Sequence, residues 1–357
     1  MIRVGFIGTG GMAGWHAGAV REIKGMKLVA GCDVRPDVAE AFAKKWEIPA
    51  VYTDYREMLD KEKLDAVANI TTDAAHCEVA LATLERGIHI LSEKPLAASL
   101  AEALKMAAAA QKAGVINMVN FSYRNASALH KAAAAVAAGK IGRVVHVEAS
   151  YLQSWLARAD WKNWANSHGM LWRLSTAHGS AGVLGDLGCH IYDLTTLLSG
   201  QDISQISCHL QTFDKPVPGN RIGEYVFDAN DSFVSTITFA NGAIGTVHSS
   251  RWATGHGNSL RCRVYGDAGA VEVDLDTGYN VYKICSSKND LASNLWQTVS
   301  WETVECKPTP NMWQRFAKSI RTGANDSSDF ANGLKIQAYL HYSFLSDKKG
   351  RPVKVEI

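Results

Sequence analysis

The feature that most limits the fold of this chain is its first thirteen residues. Ile2–Ile7 is a short apolar run that predicts a buried strand, and it leads directly into Gly8-Thr9-Gly10-Gly11-Met12-Ala13. This G-x-G-x-x-A pattern is a permitted form of the dinucleotide fingerprint, in which the first glycine allows a tight turn and the second lets the backbone approach a pyrophosphate. The stretch therefore predicts the first strand, turn and helix of a doubly wound parallel sheet.

A second apolar run supplies the context that the fingerprint needs. Residues 27–32 predict a strand that ends at Asp33, 20 residues after Ala13. An acidic side chain at this distance binds the ribose hydroxyls of an adenosine and repels a 2′-phosphate, which favours NAD over NADP. Arg35 lies close by and leaves NADP open. The alternative is that Asp33 only forms the turn before Pro36.

The alternation of strands and helices continues to about residue 122. Further strands are predicted at 66–70, 88–92 and 115–120, with helices between them. We therefore expect a dinucleotide-binding Rossmann domain over residues 1–122, with its ligand at the carboxyl ends of the strands. The residues expected to bind the cofactor there are Gly8, Gly10, Gly11, Met12, Asp33, Arg35, Thr71, His76, Glu93, Lys94 and Asn120.

Glu93-Lys94-Pro95 is the most informative of the turns that follow these strands. Lys94 comes directly after a buried strand, and Pro95 restricts the backbone of the residue before it. An X-Pro bond in such a turn is found in either isomer, so the direction of the lysine is left open. We predict a catalytic lysine, and the alternative is an ordinary solvated loop lysine.

The pattern changes after a helix that ends near Gly139. Strands are predicted at 143–153, 203–213, 231–240, 243–252, 259–266, 270–275 and 278–284, and many of them alternate apolar and polar residues. Ala240-Asn241-Gly242-Ala243 is a hairpin turn signal, so the sheet is expected to be mostly antiparallel. Helices follow at 311–321 and 329–345, and a last strand at 352–356. Residues 123–357 are therefore predicted to form one α+β domain with a large, mostly antiparallel sheet.

A second group of polar residues lies near the middle of the chain. If residues 185–193 open a helix, Asp186, His190 and Asp193 stand at i, i+4 and i+7 and share one face. An imidazole exchanges a proton near neutral pH, and a neighbouring carboxylate orients it and raises its basicity. We predict catalysis by His190 with Asp186. The alternatives are a surface helix with scattered polar residues and a metal site, which lacks the H-E-x-x-H pattern.

An aromatic-rich loop precedes this group. Aromatic faces stack on the apolar faces of sugars, whereas arginine and glutamine side chains bind hydroxyl groups. We therefore predict carbohydrate binding, and the alternative is a packed secondary core or a subunit interface. The loop contains Trp155, Trp161, Trp164 and Trp172, together with Arg158, Arg173, His168 and His178.

Composition excludes several other classes of protein. The 357 residues carry a formal charge of +2 without a run of basic residues, which gives no electrostatic footprint for nucleic acid or a membrane surface. No apolar stretch is long enough to span a membrane, and the seven scattered cysteines predict neither a disulfide framework nor a zinc site. Since a strand begins at residue 2, no signal peptide is expected, and we predict a cytoplasmic protein without a metal.

Together these motifs resemble those of the glucose–fructose oxidoreductase/inositol dehydrogenase/MocA (Gfo/Idh/MocA) family over nearly the whole chain. The matching features are the glycine pattern with His16 beyond it, Glu93-Lys94-Pro95, Trp172-Arg173, and D-x-G-x-H-x-x-D from Asp186 to Asp193. The resemblance implies a Rossmann domain followed by an open-faced mixed sheet. It also implies a homodimer or homotetramer formed through that sheet.

The resemblance further implies roles for individual residues. It places Lys94, Asp186 and His190 in a catalytic site that faces the nicotinamide. It places Trp172 and Arg173 near the cofactor. Residues 151–156 are similar to members of the family that act on glucosides or anhydrosugars. The residues expected to bind the substrate are Lys94, Arg124, Gln153, Trp155, Asp186 and His190.

The resulting hypothesis is an NAD-dependent oxidoreductase that transfers a hydride between nicotinamide and a secondary alcohol of a sugar, glycoside or polyol. In this hypothesis His190 takes the hydroxyl proton, Asp186 orients the ring or the substrate, and Lys94 stabilises the developing alkoxide. One alternative is a glycoside hydrolase of the same family that retains its NAD. Another is a dinucleotide-binding regulatory protein without catalytic activity, since a fold alone does not establish chemistry.

Overall fold

The structure is a computed structural model that describes residues 1–157, 164–286 and 300–357. Two residues of the aromatic-rich loop, Arg158 and Trp161, lie outside the described residues. The chain forms two compact units. The first contains Met1–Ser122 and Pro310–Gln337, and the second contains Tyr123–Thr309 and Ala338–Ile357. In the part of the chain that is described, no helix combines the length and apolarity that a membrane span requires.

The first unit is built on a six-stranded parallel sheet in the order β3-β2-β1-β4-β5-β6. This is the Rossmann order, and its switch point lies between β1 and β4. Helices lie between consecutive strands up to β6. The strands are β1 (Ile2–Ile7), β2 (Met26–Cys32), β3 (Ala50–Tyr52), β4 (Ala66–Asn69), β5 (His89–Ser92) and β6 (Asn117–Val119). The helices are α1 (Ala13–Arg21), α2 (Pro36–Trp46), α3 (Tyr55–Lys61), α4 (Asp73–Glu85) and α5 (Leu100–Ala113).

The five strands predicted in this half are confirmed, whereas β3 and α3 were not expected. β3 has only three residues, none of them fully buried, so it lacks the apolar run that marks its neighbours. Local signals do set other boundaries. The Ser99 side chain accepts a hydrogen bond from the backbone of Glu102 at the start of α5, and Gly114 ends that helix with φ +64°.

The first unit also contains a segment that the boundary at residue 122 assigns to the second domain. Helix α9 (Met312–Thr322) begins with a capping box in which Asn311 and Gln314 bond each other's backbone. Its buried side chains Trp313 and Phe316 belong to the same apolar core as Phe6. Because these rings complete the core on β1, Pro310–Gln337 is part of the first unit.

The second unit is built on a nine-stranded sheet in the order β16-β15-β14-β13-β7-β12-β11-β8-β17. Its pairs are antiparallel except for β7 with β12, which are parallel, so the prediction of a mostly antiparallel sheet is confirmed. The strands are β7 (Val144–Leu152), β8 (Ile203–Gln211), β11 (Ser232–Phe239), β12 (Ile244–Ser250), β13 (Ser259–Gly266), β14 (Gly269–Asp274), β15 (Val281–Ser286), β16 (Glu302–Glu305) and β17 (Val353–Lys354). A small hairpin, β9 (Arg221–Ile222) and β10 (Tyr225–Val226), lies apart from the sheet.

Among the described residues, four α-helices belong wholly or partly to the second unit. These are α6 (Ser127–Ala137), α7 (His168–Leu171), α8 (Cys189–Ser199) and the later part of α10 (Phe330–Lys349). Strand β11 alternates buried and accessible residues, as its sequence predicts for a strand with one covered face. The α10 prediction began one residue early and ended at 345, four residues before the observed end.

The helix predicted from residue 185 opens differently from an α-helix. Leu184–Gly188 forms a π-helical turn, and the α-helix begins only at Cys189. The turn has glycines at positions 185 and 188. A Cβ on Gly185 would lie 2.4 Å from that of Ala181, which shows how closely this turn is packed. Because π-turns change the side-chain register, the i, i+4 relation of Asp186 to His190 is not that of an α-helix.

Candidate active site

The loop between β1 and α1 has three glycines in two different environments. Gly8 adopts φ +88°, and a Cβ at this position would lie 2.4 Å from the carbonyl oxygen of Ile70, so packing within the protein requires glycine here. For Gly10 and Gly11, no described atom lies within 4 Å of the Cβ position. Their backbone is therefore open to close approach by a ligand, as a pyrophosphate at the start of α1 requires.

Asp33 lies in a cleft of about 420 Å³ next to this loop. Its carboxylate accepts hydrogen bonds from the backbone N–H of Thr9, at 2.9 Å, and from that of Arg35, at 3.1 Å. A carboxylate has capacity for more donors, so Asp33 can still accept the two hydroxyls of a ribose. The cleft fits a dinucleotide, and five of the predicted cofactor residues line it: Gly8, Gly10, Asp33, Arg35 and Thr71.

Two other predicted cofactor residues differ in exposure. Met12 is 54% exposed immediately before α1. His76 is fully buried, and its ring nitrogens contact the main-chain carbonyl oxygens of Pro95, at 2.9 Å, and Thr71, at 3.2 Å. Its ring therefore joins the turn after β4 to the turn after β5. Direct contact of His76 with the cofactor stays a prediction.

The turn after β5 is organised by the buried carboxylate of Glu93. One oxygen accepts from Asn120 Nδ2 and contacts His16 Nε2, both at 2.7 Å, and the other accepts from the backbone N–H of Lys94, at 3.1 Å. Burial alone would raise the pKa of Glu93, but the hydrogen bonds from His16 and Asn120 outweigh it and lower that pKa. Glu93 is therefore a carboxylate at neutral pH.

Lys94 itself is half-buried and is followed by a cis peptide bond to Pro95. Its positive charge also favours the ionised form of Glu93. Asn120, at the end of β6, is 2% exposed, and its Oδ1 atom has no hydrogen-bond partner among the described residues. A buried amide oxygen of this kind fits a ligand that supplies the missing donor.

In the second unit, Asp186 lies in the π-turn and is held by a buried cation. Arg251 Nη2 donates to Asp186 Oδ2 at 3.0 Å, and Arg251 Nη1 donates to the carbonyl of Arg173 at 3.1 Å. The Arg251 side chain has no exposed surface, whereas that of Asp186 is 30% exposed. Burial lowers the pKa of Arg251 and the charge of Asp186 opposes that shift, so the guanidinium stays protonated.

Of the two predicted cofactor residues of this unit, Arg173 lies beside Asp186 and Trp172 contacts Arg173. The Arg173 guanidinium is 3.9 Å from the Asp186 carboxylate and stacks 4.6 Å from the ring centroid of Trp172. The Arg173 guanidinium thus lies over the face of the Trp172 ring and close to the Asp186 carboxylate. Its role toward the cofactor stays a prediction.

His190 lies in the first turn of α8 and is 5% exposed. Its ring meets the ring of Tyr123 edge to face, with the centroids 4.8 Å apart, and that of Tyr151 at 6.3 Å. Two phenol groups thus border the proposed base. Burial and the neighbouring Tyr123 hydroxyl raise the pKa of Tyr151, so this phenol keeps its proton.

Three side chains close a hydrogen-bonded ring next to His190. The Tyr151 hydroxyl donates to Asn258 Oδ1 at 2.7 Å, and Asn258 Nδ2 donates to the Tyr123 oxygen at 2.8 Å. The two tyrosine oxygens are 2.5 Å apart. Since Tyr151 already donates to Asn258, Tyr123 must donate to Tyr151. Donation therefore runs in one direction around the ring: Tyr123 donates to Tyr151, Tyr151 donates to Asn258, and Asn258 donates to Tyr123.

Gln153 and Trp155 extend this ring. The indole N–H of Trp155 only donates, so it must meet Gln153 Oε1, at 3.0 Å, which turns the amide nitrogen of Gln153 toward Asn258 Oδ1, at 2.7 Å. Trp155 is 3% exposed and packs in a cluster with Trp164 and Phe227. For these two tryptophans the structure shows the packed secondary core rather than an open platform, and substrate contact by Gln153 and Trp155 stays a prediction.

Arg124 and Asp193 form a buried pair of their own. Arg124 Nε donates to Asp193 Oδ2 at 2.7 Å and Nη2 donates to Oδ1 at 2.5 Å, and both side chains are almost completely buried. With Asp193 paired to Arg124 and Asp186 to Arg251, both carboxylates of the metal alternative bind cations of the protein. Among the described residues no group of three or more metal-ligating side chains occurs.

Sequence reasoning missed four residues of these networks: Tyr123, Arg251, Asn258 and Trp313, whose indole N–H donates to His16. Arg251 directly follows β12 and Asn258 directly precedes β13, so each comes from a strand end far from Asp186 in sequence. For Arg251 the available signal was a charged residue at the end of an alternating strand, which is weak by itself. Trp313 belongs to a helix that the sequence assigned to the other domain.

A six-stranded Rossmann sheet with a cleft beside its glycine loop and Asp33 defines the general class, that of dinucleotide-binding proteins. Residues 2–121 match the family model described as an oxidoreductase family with an NAD-binding Rossmann fold, and residues 129–272 match that of the GFO/IDH/MocA C-terminal domain. The chain belongs to the Gfo/Idh/MocA family.

Solved structures and curated relatives agree with this assignment. An oxidoreductase domain protein from Kribbella flavida is 30% identical, with all of both chains covered and a TM-score of 0.89. Levoglucosan dehydrogenase in complex with NADH and levoglucosan is 26% identical, with all of both chains covered and a TM-score of 0.86. The levoglucosan dehydrogenase of Pseudarthrobacter phenanthrenivorans is 30% identical over 258 residues, which are 69% of this chain and 64% of that relative. The match thus spans slightly less than two thirds of that enzyme.

Proposed function

We propose that this protein uses NAD to oxidise, reversibly, a secondary alcohol of a sugar, glycoside or polyol. The observation that carries the proposal is the hydrogen-bonded ring of Tyr123, Tyr151 and Asn258 beside His190. Oriented donors and acceptors next to a base suit a ligand rich in hydroxyl groups, because a site built on hydrogen bonds rejects analogues that lack them. The relatives are named dehydrogenases, which favours this function over the hydrolase alternative.

The proposed roles follow from the chemistry of each side chain. His190 takes the proton of the reacting hydroxyl, and Asp186, held by Arg251, orients the imidazole or the substrate. Lys94 donates a hydrogen bond to the oxygen as it becomes an alkoxide, which lowers the energy of that developing charge. Bound NAD supplies the hydride chemistry, and Gly10, Gly11 and Asp33 hold it.

The first test removes the two proposed catalytic groups. General acid–base catalysis contributes typically ~10²–10⁴-fold, so His190→Ala and Lys94→Ala are each expected to lower kcat by about two orders of magnitude or more. NAD binding, followed by fluorescence titration, is expected to stay largely intact. His341→Ala is the matched control, since His341 is exposed and packs against Tyr342 in the same unit as His190. Unimpaired turnover in both variants would remove these assignments.

The second test identifies the substrate class. Inositols, monosaccharides and glycosides are offered with NAD and with NADP, and NAD(P)H is followed by absorbance. Because Asp33 repels a 2′-phosphate, we expect turnover with NAD to exceed that with NADP. Release of free sugar without net NADH would instead establish the hydrolase, and NAD binding without turnover of any substrate would establish a regulatory protein.

We further propose a cytoplasmic homo-oligomer formed through the open face of the nine-stranded sheet. Val234 and Ile244 lie on neighbouring strands of that face and are each 56% exposed. Apolar side chains in the middle of a sheet surface are expected to be covered by a partner. Light scattering of the wild type should give a dimer or tetramer, and Val234→Glu with Ile244→Glu should shift it toward the monomer. A monomeric wild type excludes this part of the proposal.

A further inference from the structure

His16 lies at the centre of a buried aromatic group in the first unit. Its imidazole is completely buried in α1, and its centroid is 6.3 Å from the ring of Phe6, 5.0 Å from that of Trp15 and 5.8 Å from that of Trp313. Glu93 is the charged group in contact with it, and Lys94 follows Glu93 in the same turn. The polar partners of the His16 ring are thus Glu93 Oε1 and the indole nitrogen of Trp313.

The hydrogen bonds of His16 fix its tautomer. The indole nitrogen of Trp313 lies 3.0 Å from His16 Nδ1. An indole N–H donates and cannot accept, so Nδ1 must present a lone pair. The imidazole is then neutral, its proton is on Nε2, and Nε2–H donates to Glu93 Oε1 at 2.7 Å. Trp313 is 297 residues away from His16 in sequence and contacts it through α9.

The tautomer of His16 decides which charged groups are present in the hydrogen-bonded group of His16, Glu93 and Asn120. With a neutral His16, the donors to Glu93 are an imidazole N–H, the amide of Asn120 and the backbone N–H of Lys94. None of these three donors carries a charge, so none of them forms a salt bridge with the carboxylate, and the Lys94 ammonium is the cation that favours its ionised form. If His16 were protonated on both nitrogens, a salt bridge with Glu93 would form and the pair would be neutral.

We propose that Trp313 is a positioning residue for the Lys94 turn, because its indole N–H keeps His16 neutral and thereby leaves Glu93 as a carboxylate that is not paired with a histidinium and that holds the Lys94 main chain. The inference rests on the proposed catalytic role of Lys94. It assigns a supporting role to Trp313, which lies on α9, far from Lys94 in sequence. The conformation of the Lys94 turn then depends on whether His16 carries one proton or two.

The first experiment reads the tautomer directly and does not depend on activity. In two-bond ¹H–¹⁵N spectra of the wild type, His16 is expected to show a protonated Nε2 and an unprotonated Nδ1, with His16→Gln identifying its signals. In Trp313→Phe, lowering the pH from about 8 to about 6 should protonate both nitrogens. Phe316→Leu, which perturbs the same helix away from His16, should keep the wild-type tautomer. Trp313→Met serves if Trp313→Phe does not fold.

The second experiment connects the tautomer to the turn. In Trp313→Phe, kcat/KM relative to wild type is expected to fall by about 3- to 30-fold more at the acidic end than at the alkaline end. In the His16→Gln background, where position 16 cannot acquire a charge, the same substitution should have no pH-dependent effect. The Phe316→Leu variant should follow the wild-type pH profile.

The outcomes separate the inference from the proposed function. An unchanged His16 spectrum in Trp313→Phe overturns the inference whatever the activity. A changed spectrum with a wild-type pH profile overturns the positioning of Lys94. Absence of dehydrogenase activity in the wild type overturns the proposed function and, with it, the role of the Lys94 turn, while the spectra still decide how Trp313 acts on His16.

Discussion

The two proposed catalytic side chains are each close in sequence to an acidic residue, but the two carboxylates are held in different ways. In the first unit, Glu93 precedes Lys94 and accepts hydrogen bonds from neutral groups of His16, Asn120 and the backbone. In the second unit, Asp186 lies one helical turn before His190 and accepts from the guanidinium of Arg251. The side-chain donors to Glu93 are neutral groups, whereas the donor to Asp186 is a cation.

The difference shows that a fold can hold two acidic side chains with donors of different charge. Neutral donors favour the ionised form of an acid and leave its charge in place, whereas a cation favours the same form and cancels it. Glu93 is therefore held by neutral donors, with the Lys94 ammonium as the cation in the same turn. Asp186 is held by the Arg251 guanidinium, with a second guanidinium, that of Arg173, at 3.9 Å. Perturbing each partner tests this contrast.

The largest effect on stability is expected from Arg251→Met. The substitution removes the donor to Asp186 and to the carbonyl of Arg173 from a completely buried position. Because Asp186 is 30% exposed and can gain water, we expect a loss of about 2–4 kcal/mol, in the lower part of the range for broken buried pairs. Urea unfolding followed by fluorescence measures it.

A surface ion pair provides the control for this measurement. Arg143 pairs with Asp267 at 3.5 Å, and both side chains are at least half exposed. Arg143→Gln is expected to change the free energy of unfolding by about 0–1 kcal/mol, since exposed pairs contribute little. An equally small change for Arg251→Met would mean that Asp186 is not held by a cation and would end the contrast.

Glu93→Gln is expected to have the next largest effect. The amide of the glutamine places a donor where the carboxylate accepted one, so we expect a loss of about 1–3 kcal/mol at neutral pH. The folded-state pKa of Glu93 is lowered, which means that its contribution is complete above the unfolded value of about 4.3 and is lost as the pH falls through the folded value. The difference between wild type and variant should therefore shrink below about pH 4.3.

The pH dependence separates a specific effect of Glu93 from general acid unfolding. Glu85→Gln, at an exposed position near the end of α4, should have the same pH dependence of unfolding as the wild type. If the difference between wild type and Glu93→Gln increased on acidification, the Glu93 pKa would be raised by folding, and the neutral donors would not compensate for its burial.

The sequence predicts the parts of this contrast that depend on local pattern. Lys94 and Glu93 were found because they follow a buried strand, and His190 and Asp186 because they are near each other at the start of a helix. The glycine pattern predicted the sheet that carries the first pair, since β1, its turn and α1 lie within one short stretch. In each pair the two residues lie within a few positions of each other in the sequence.

The sequence does not predict what holds these residues. Trp313 reaches His16 only because α9 packs on β1, and Arg251 reaches Asp186 only because β12 ends near the π-turn. Such contacts are decided by tertiary packing, and no periodicity in a single sequence encodes them. The π-turn itself was missed for a similar reason, because its glycines are equally compatible with an ordinary helix start.

The smallest effect on stability is expected from Asn120→Ala. Asn120 is one of three donors to Glu93, and the substitution also removes a buried oxygen that has no partner among the described residues. The two consequences oppose each other, so the free energy of unfolding should change by about 1 kcal/mol or less.

NAD affinity distinguishes support of Glu93 from contact with the cofactor. If Asn120 Oδ1 accepts a hydrogen bond from bound NAD, its loss should weaken binding by about 5- to 10-fold in a fluorescence titration, which corresponds to one hydrogen bond. Asn117→Ala, on the same strand, is the control. Its amide bonds the backbone of Phe330 and Val115, so this variant should lose stability and keep NAD affinity. Equal NAD affinity in both variants and the wild type would make Asn120 a structural partner of Glu93 alone.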